Sequence, residues 1–177
     1  MFLSAKTLAF TGVLLALAEL CIVASGIFEW NTLVLLAAAA FLVGIVIREW
    51  GMKAGAAFFT AAVVLGVFLA PNKIYCVTFG AMGLYVLADE GVFRMMQKRP
   101  LMGHRRLWQA VLKWAVFNVM FLPMVLFFPQ LLFLKPITGW WLAGTILLGQ
   151  AAWFLFDMAY DCFQATIWGR IRGRLPH

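Results

Sequence analysis

The sequence predicts an all-α protein, a polytopic membrane bundle of six transmembrane helices with both termini in the cytoplasm. Of its 177 residues, 65% are hydrophobic and only 12% are charged. An average soluble domain is roughly half apolar and about a quarter charged. The apolar residues fall into six runs, and basic residues collect in alternate connectors between those runs. Lipid is therefore expected to surround most of the chain.

The six apolar runs define the expected helices. A helix needs about twenty mostly apolar residues to cross the hydrocarbon core of a bilayer. The second and third runs are short, and the last is long enough to tilt. Because the connectors are also short, the whole chain, residues 1–177, is predicted to form one transmembrane domain. The predicted helices cover residues 7–27, 32–47, 54–70, 74–93, 108–128 and 140–168.

Two local signals refine the fourth and fifth helices. Asn72 follows Pro71 and precedes the fourth apolar run, so it is predicted to cap that helix at its N-terminus. Pro123 lies inside the fifth run, where a proline is expected to kink the helix.

The distribution of lysine and arginine predicts the orientation. Opposite to the basic connectors, the remaining connectors hold only Lys73 and Lys135. By the positive-inside rule the basic side is cytoplasmic, which makes the chain a multi-pass protein of the cell membrane. Because the positive-inside rule explains the basic residues, the net charge of +7 does not indicate nucleic acid as a partner. The basic side carries Lys6, Arg48, Lys53, Arg94, Lys98, Arg99, Arg105, Arg106, Arg170, Arg172 and Arg174.

Glu19 is the most informative polar residue, because it lies near the middle of the first helix. Gly12 and Ala16 precede it on a stripe of otherwise small residues. A carboxylate at this depth is costly unless it is paired, hydrated or protonated. One interpretation is a ligand or proton site. The other is a structural carboxyl that hydrogen-bonds to Asn118 or Gln150, and both remain open.

Other charged residues also have two interpretations. Lys73 opposes the orientation bias at the predicted N-terminus of the fourth helix, where it would hold a substrate carboxylate or phosphate or simply snorkel to the interface. Near the inner surface, four acids are expected to form structural ion pairs, with Arg94 and Lys113 as partners. These acids are Asp89, Glu90, Asp157 and Asp161, and the last two share a stripe of the sixth helix with Gln150, Trp153 and Gln164.

The sequence contains none of the short motifs that would indicate an enzyme. There is no H-E-x-x-H, no G-x-S-x-G and no phosphate-binding G-x-x-x-x-G-K loop. Cys21, Cys76 and Cys162 are widely spaced within apolar runs, as small apolar filler would be. We therefore expect no catalytic residue, no bound metal and no cofactor.

Small residues supply a resemblance to a known family. Ala5-x-x-x-Ala9 and Gly12-x-x-x-Ala16 are pairs that let helices approach closely. A Gly/Ala-rich third helix runs from Gly55 to Pro71, and a basic tail contains Ile171-Arg172-Gly173-Arg174. With six short-looped helices, the chain resembles the S components of energy-coupling factor (ECF) transporters, the substrate-binding membrane subunits of these importers.

The resemblance implies a function and a site. Family members capture a small molecule such as a vitamin from the outer side, dock on a transmembrane coupling protein bound to two cytoplasmic ATPases, and release the molecule inward. The docking face would be Ala5, Ala9, Gly12 and Ala16. The substrate-binding residues would be Trp30, Lys73, Tyr75, Trp140 and Trp141 at the outer surface, with Glu19, Asn118 and Gln150 deeper.

A structural or scaffolding membrane subunit is the alternative. It would use the same small-residue faces to bind partners and would have no ligand pocket. Bulky side chains would then fill the outer cavity, and the candidates are Phe28, Phe79 and Trp140.

Overall fold

A computed structural model of the protein describes residues 5–70, 72–97, 105–127 and 140–172. These residues are all-α, as predicted. A single turn of 3-10 helix joins the first two helices, and the last long helix continues through a π-helical segment, Phe163–Trp168, into the short α7, Gly169–Arg172. The long helices are α1 (Ala5–Ile27), α2 (Thr32–Trp50), α3 (Met52–Leu69), α4 (Lys73–Gln97), α5 (Arg105–Phe127) and α6 (Trp140–Cys162).

Four of these helices, α1 to α4, are long and apolar enough to cross a membrane. A shorter apolar helical stretch, Leu107–Pro123, lies in α5. Large apolar side chains such as Val13 and Phe68 are exposed on the outside of these helices. Apolar helices of this length and surface indicate a membrane protein, because soluble proteins rarely expose such large apolar surfaces to water.

The helices extend beyond the apolar runs that predicted them. α2 continues to Trp50 instead of ending at Ile47, and α4 continues to Gln97 instead of ending at Phe93. Hydropathy marks the part of a helix that matches lipid, whereas backbone hydrogen bonds continue into the polar region beyond it. Arg48 and Arg94 lie in these last turns, where a basic side chain interacts favourably with the helix dipole.

The N-terminus of α4 forms as predicted. The backbone N–H of Ile74 donates to Oδ1 of Asn72 at 3.0 Å. Asn72 therefore satisfies one of the amide groups that the first turn of a helix leaves without a partner.

The chain divides into two compact units, Met1–Met102 and Gly103–His177. The first contains α1 to α4 and the second contains α5 and α6. The single transmembrane domain expected from the sequence stays a prediction.

In the first unit α2 is the central helix, in contact with α1, α3 and α4. Every residue from Ala39 to Ile47 is buried. A helix that is apolar all round is suited to such an enclosed position. Each of the other three helices packs one face against α2 and exposes another face to the surroundings of the unit.

Glycine allows α2 and α3 to form a tight hairpin. Gly51 joins them with φ at +93°, a backbone conformation that a residue with a Cβ adopts only under strain. Four residues later, a Cβ added to Gly55 would lie 2.1 Å from Cγ1 of Ile47. Because Ile47 is itself fully buried, it has no room to move away.

In the second unit, aromatic side chains pack α5 against α6. The ring of Phe117 in α5 lies 5.6 Å from that of Trp153 in α6, measured between centroids. Gly149 of α6 admits Phe121, since a Cβ on Gly149 would lie 2.2 Å from the Phe121 ring. Pro123 lies within α5, and the kink expected there stays a prediction.

We expect Gly55→Ala to lower the free energy of unfolding by about 1–3 kcal/mol, the usual cost of overpacking a well-packed interior. Gly80→Ala is the matched control, since nothing lies within 4 Å of a Cβ at this helical position. The control should be neutral or stabilising by up to about 1 kcal/mol. Reversible unfolding of the detergent-solubilised protein measures both, and equal stability of the two variants would contradict the close approach of α2 and α3.

Candidate functional site

Glu19 is buried within the first unit. It lies at the edge of the buried face of α1, which runs through Leu14, Ala18, Ile22 and Ser25. Only 7% of Glu19 is exposed. Among the described residues, neither of its carboxylate oxygens has a hydrogen-bond partner.

Three helices meet close to this carboxylate. A Cβ on Gly66 of α3 would lie 3.6 Å both from Cδ1 of Ile22, one turn after Glu19, and from Sγ of Cys76 in the first turn of α4. Glu19 is near enough to Cys76 for an electrostatic interaction. The carboxylate therefore lies near the N-terminal end of α4, in surroundings formed by apolar groups and a thiol.

Asn118 and Gln150 are hydrogen-bonded to each other in the second unit. Nε2 of Gln150 donates to Oδ1 of Asn118 at 2.8 Å, and Nε1 of Trp114 donates to Oε1 of Gln150 at 3.0 Å. Nδ2 of Asn118 donates to the backbone carbonyl of Trp114 at 2.8 Å. These amides join α5 to α6, and the hydrogen bond from Glu19 to Asn118 or Gln150, expected as one alternative, stays a prediction.

The predicted outer residues have different surroundings. The ammonium of Lys73 donates to the backbone carbonyls of Val67 and Ala70, so it satisfies acceptors at the C-terminal end of α3. Tyr75 is half-buried, whereas Trp30 is 100% and Trp140 90% exposed. The side chain of Trp141 lies outside the described residues. The roles of all these residues as ligand contacts stay predictions.

An ion pair joins α2 to α4 at the opposite end of the first unit. Nε of Arg48 lies 2.5 Å from Oε1 of Glu90, which is 1% exposed. The sequence predicts Arg94 and Lys113 as partners for the acids, but Glu90 is paired with Arg48 instead of Arg94. One turn after Glu90, Arg94 instead donates from Nη2 to the carbonyl of Ile47 at 2.5 Å. Because α2 ends beside α4, Arg48 lies closer to Glu90.

The second unit forms the ion pairs that the sequence predicted. Nζ of Lys113 lies 3.0 Å from Oδ1 of Asp157 and 3.4 Å from Oδ2 of Asp161. The two aspartates are four residues apart on α6, so they project from one face of the helix and share a single lysine on α5.

The predicted docking face of α1 is exposed. Ala5, Ala9, Gly12 and Ala16 are all exposed, and nothing lies within 4 Å of a Cβ placed on Gly12. Glu19 was expected on the same stripe as Gly12 and Ala16, yet it is buried. The difference arises because packing against the neighbouring helices covers the C-terminal half of α1 more than its first turns.

No protein-family model, curated protein or solved structure matches this chain. Its function must therefore be inferred from its own residues.

Two polar side chains of the sixth predicted helix have buried polar atoms without hydrogen-bond partners in the described chain, which the sequence did not indicate. Gln164 was only one member of the polar stripe on the sixth helix. It is buried in the π-helical segment, and both ends of its amide lack a hydrogen-bond partner in the described part of the chain. Nε1 of Trp153 is likewise buried and without a partner there. Spacing places both on the stripe, but burial depends on packing.

We expect Arg48→Met to destabilise the protein by about 3–5 kcal/mol, because it leaves the buried Glu90 carboxylate without its cation. The double variant Arg48→Met/Glu90→Leu should recover most of this loss, since it removes both charges. Unfolding free energies in detergent measure the difference. A double variant as unstable as Arg48→Met would show that packing of the arginine, rather than its charge, matters.

The amide pair of the second unit allows a separate test. A double-mutant cycle with Asn118→Ala and Gln150→Ala should give a coupling energy of about 0.6–1.7 kcal/mol, the range for interhelical hydrogen bonds in membranes. The paired variants Asn118→Ala and Leu148→Ala provide the control, because Leu148 is exposed on the same helix. Strictly additive losses for Asn118 and Gln150 would contradict the bond.

Proposed function

We propose that the protein is a multi-pass protein of the cell membrane, with six transmembrane helices and both termini in the cytoplasm. The four long apolar helices support this proposal, as does the alternation of basic connectors along the sequence. Arg48, Lys53 and Arg94 then lie at the cytoplasmic surface, where α2 ends, α3 begins and α4 ends. Lys73, at the start of α4, faces the outside.

We infer that it serves as a substrate-binding subunit of the S-component type, which captures a small molecule from outside and passes it inward with a coupling protein and ATPases. The observation that carries this inference is the buried carboxylate of Glu19 without a hydrogen-bond partner among the described residues. Burial of an unpaired charge costs several kcal/mol. A ligand that donates hydrogen bonds or carries a positive charge would offset that cost.

The depth of Glu19 agrees with capture from outside. It precedes the end of α1 at Ile27 by eight residues, which corresponds to about 12 Å of helix at a rise of about 1.5 Å per residue. The hydrocarbon core is about 30 Å thick. A ligand arriving from the side of Ile27 would reach the carboxylate before the middle of the membrane.

The exposed face of α1 supports docking on a coupling protein. Its residues Ala5, Ala9, Gly12 and Ala16 have small side chains, which let the backbone of a second helix approach closely in lipid. The exposed face precedes the buried Glu19 along the helix, so partner and ligand would bind successive segments of α1.

A scaffolding subunit without a ligand remains the second candidate, and one observation favours it. Phe79 is fully buried and its ring lies 6.0 Å from that of Phe59, so bulky side chains fill part of the first unit. The other two residues expected to fill an outer cavity do not support it, because Phe28 is 61% and Trp140 90% exposed. Neither candidate function includes a catalytic residue, a metal or a cofactor.

Mass spectrometry of small molecules that co-purify with the detergent-solubilised protein tests the proposal. We expect a bound metabolite whose affinity falls at least about tenfold in Glu19→Leu, because a charge-assisted hydrogen bond is lost. The same variant should be more stable than the wild type by about 1–3 kcal/mol, since an unsatisfied buried group is removed.

Asp161→Asn is the control, because it removes a carboxylate that is 60% exposed and lies in the second unit. It should leave the affinity unchanged. Lys73→Ala should weaken binding if the ammonium reaches the ligand, and an unchanged affinity would leave Lys73 only as a cap of α3. A wild-type protein that carries no metabolite and still binds membrane partners would support the scaffold instead.

A further inference from the structure

A groove opens at the end of the first unit where α3 begins and α4 ends. Met52 of α3 lines it together with Gly91, Arg94, Met95 and Gln97 of α4. Two flexible thioether side chains thus lie beside a guanidinium and an amide. A lining with both apolar and cationic groups suits an amphiphile better than a wholly polar solute.

The charge of Arg94 is not neutralised by a carboxylate among the described residues. Its Nη2 donates to the carbonyl of Ile47, which is neutral. The nearest acid along α4, Glu90, is bound by Arg48 at 2.5 Å, and Glu49 and Asp89 have interactions of their own. A partly buried guanidinium in this position attracts an anion.

The start of α3 adds positive charge beside Arg94. Lys53 is exposed in the first turn of α3, and that turn contains no acidic residue. An anion at this end of the unit therefore meets two cationic side chains, those of Arg94 and Lys53.

We propose that this groove binds an anionic phospholipid. The phosphate of the lipid contacts Arg94 and Lys53, and one of its acyl chains lies along Met52 and Met95. The end of three apolar helices is the level at which lipid headgroups lie, and each nearby basic residue adds about 1 kcal/mol to the attraction for an anionic membrane surface. The groove is distinct from the surroundings of Glu19. Cys76 and Gly91 are fifteen residues apart on α4, or about 22 Å at a rise of about 1.5 Å per residue.

Native mass spectrometry of the full-length protein in detergent tests the proposal, with phosphatidylglycerol and phosphatidylcholine of the same acyl chains as probes. We expect phosphatidylglycerol to bind at least about tenfold more tightly. The preference should disappear in Arg94→Gln and fall about fivefold in Lys53→Gln. Lys6→Gln, which removes an exposed lysine of α1, is the control and should keep the preference.

A second variant separates binding from stability, because Arg94 also bonds to α2. Met95→Glu introduces a carboxylate into the groove without touching the carbonyl of Ile47, and it should abolish the preference by repulsion. Equal binding of the two lipids to the wild type would overturn the proposal, and so would a preference that survives both Arg94→Gln and Met95→Glu. Displacement of the lipid by inorganic phosphate would also overturn it, since the groove would then be a site for free anions.

Discussion

The enclosure of α2 is the constraint on which the first unit depends. A helix buried on every side from Ala39 to Ile47 needs three neighbours, and the unit supplies them. Close approach then requires a residue without a side chain at Gly55 and a reversal of the chain at Gly51. The C-terminal end of α2 is bound to α4 through Arg94 and the Arg48–Glu90 pair. The polar contacts of the unit's centre therefore lie at one end of α2. At that level, water and lipid headgroups can solvate polar groups.

Hydrogen-bond partners distinguish the polar side chains that hold helices together from the one that is a candidate for binding a ligand. Glu90 has a cation, and Asn118 and Gln150 have each other, so these groups are explained by the helix contacts that they make. Glu19 is buried as Glu90 is, yet it has no hydrogen-bond partner in the described chain. A buried carboxylate without a partner lowers the stability of the fold. Such a group is most readily explained where a bound ligand supplies the missing partner. That contrast distinguishes Glu19 from Glu90, Asp157 and Asp161, whose carboxylates form ion pairs.

Small residues have two roles in this chain. Gly55 and Gly149 face neighbouring side chains so closely that a methyl group would not fit. Nothing lies within 4 Å of a Cβ placed on Gly12, and Ala5, Ala9 and Ala16 on the same helix are exposed. The first group is explained by packing inside each unit. The second group is exposed on α1, and either proposed function, transporter subunit or scaffold, would use such a face to bind a partner.

The sequence by itself determined the helices, because chain length in lipid, capping and helical spacing are local properties. The cap by Asn72 and the sharing of Lys113 by Asp157 and Asp161 were predictable for that reason. Only the tertiary structure decided which faces are buried. In a chain whose helices are apolar on nearly all sides, periodicity does not distinguish a face toward protein from a face toward lipid. The exposure of Gly12 beside the burial of Glu19, the use of Lys73 as a cap and the choice of Arg48 for Glu90 all depend on how neighbouring helices lie, which no local pattern records.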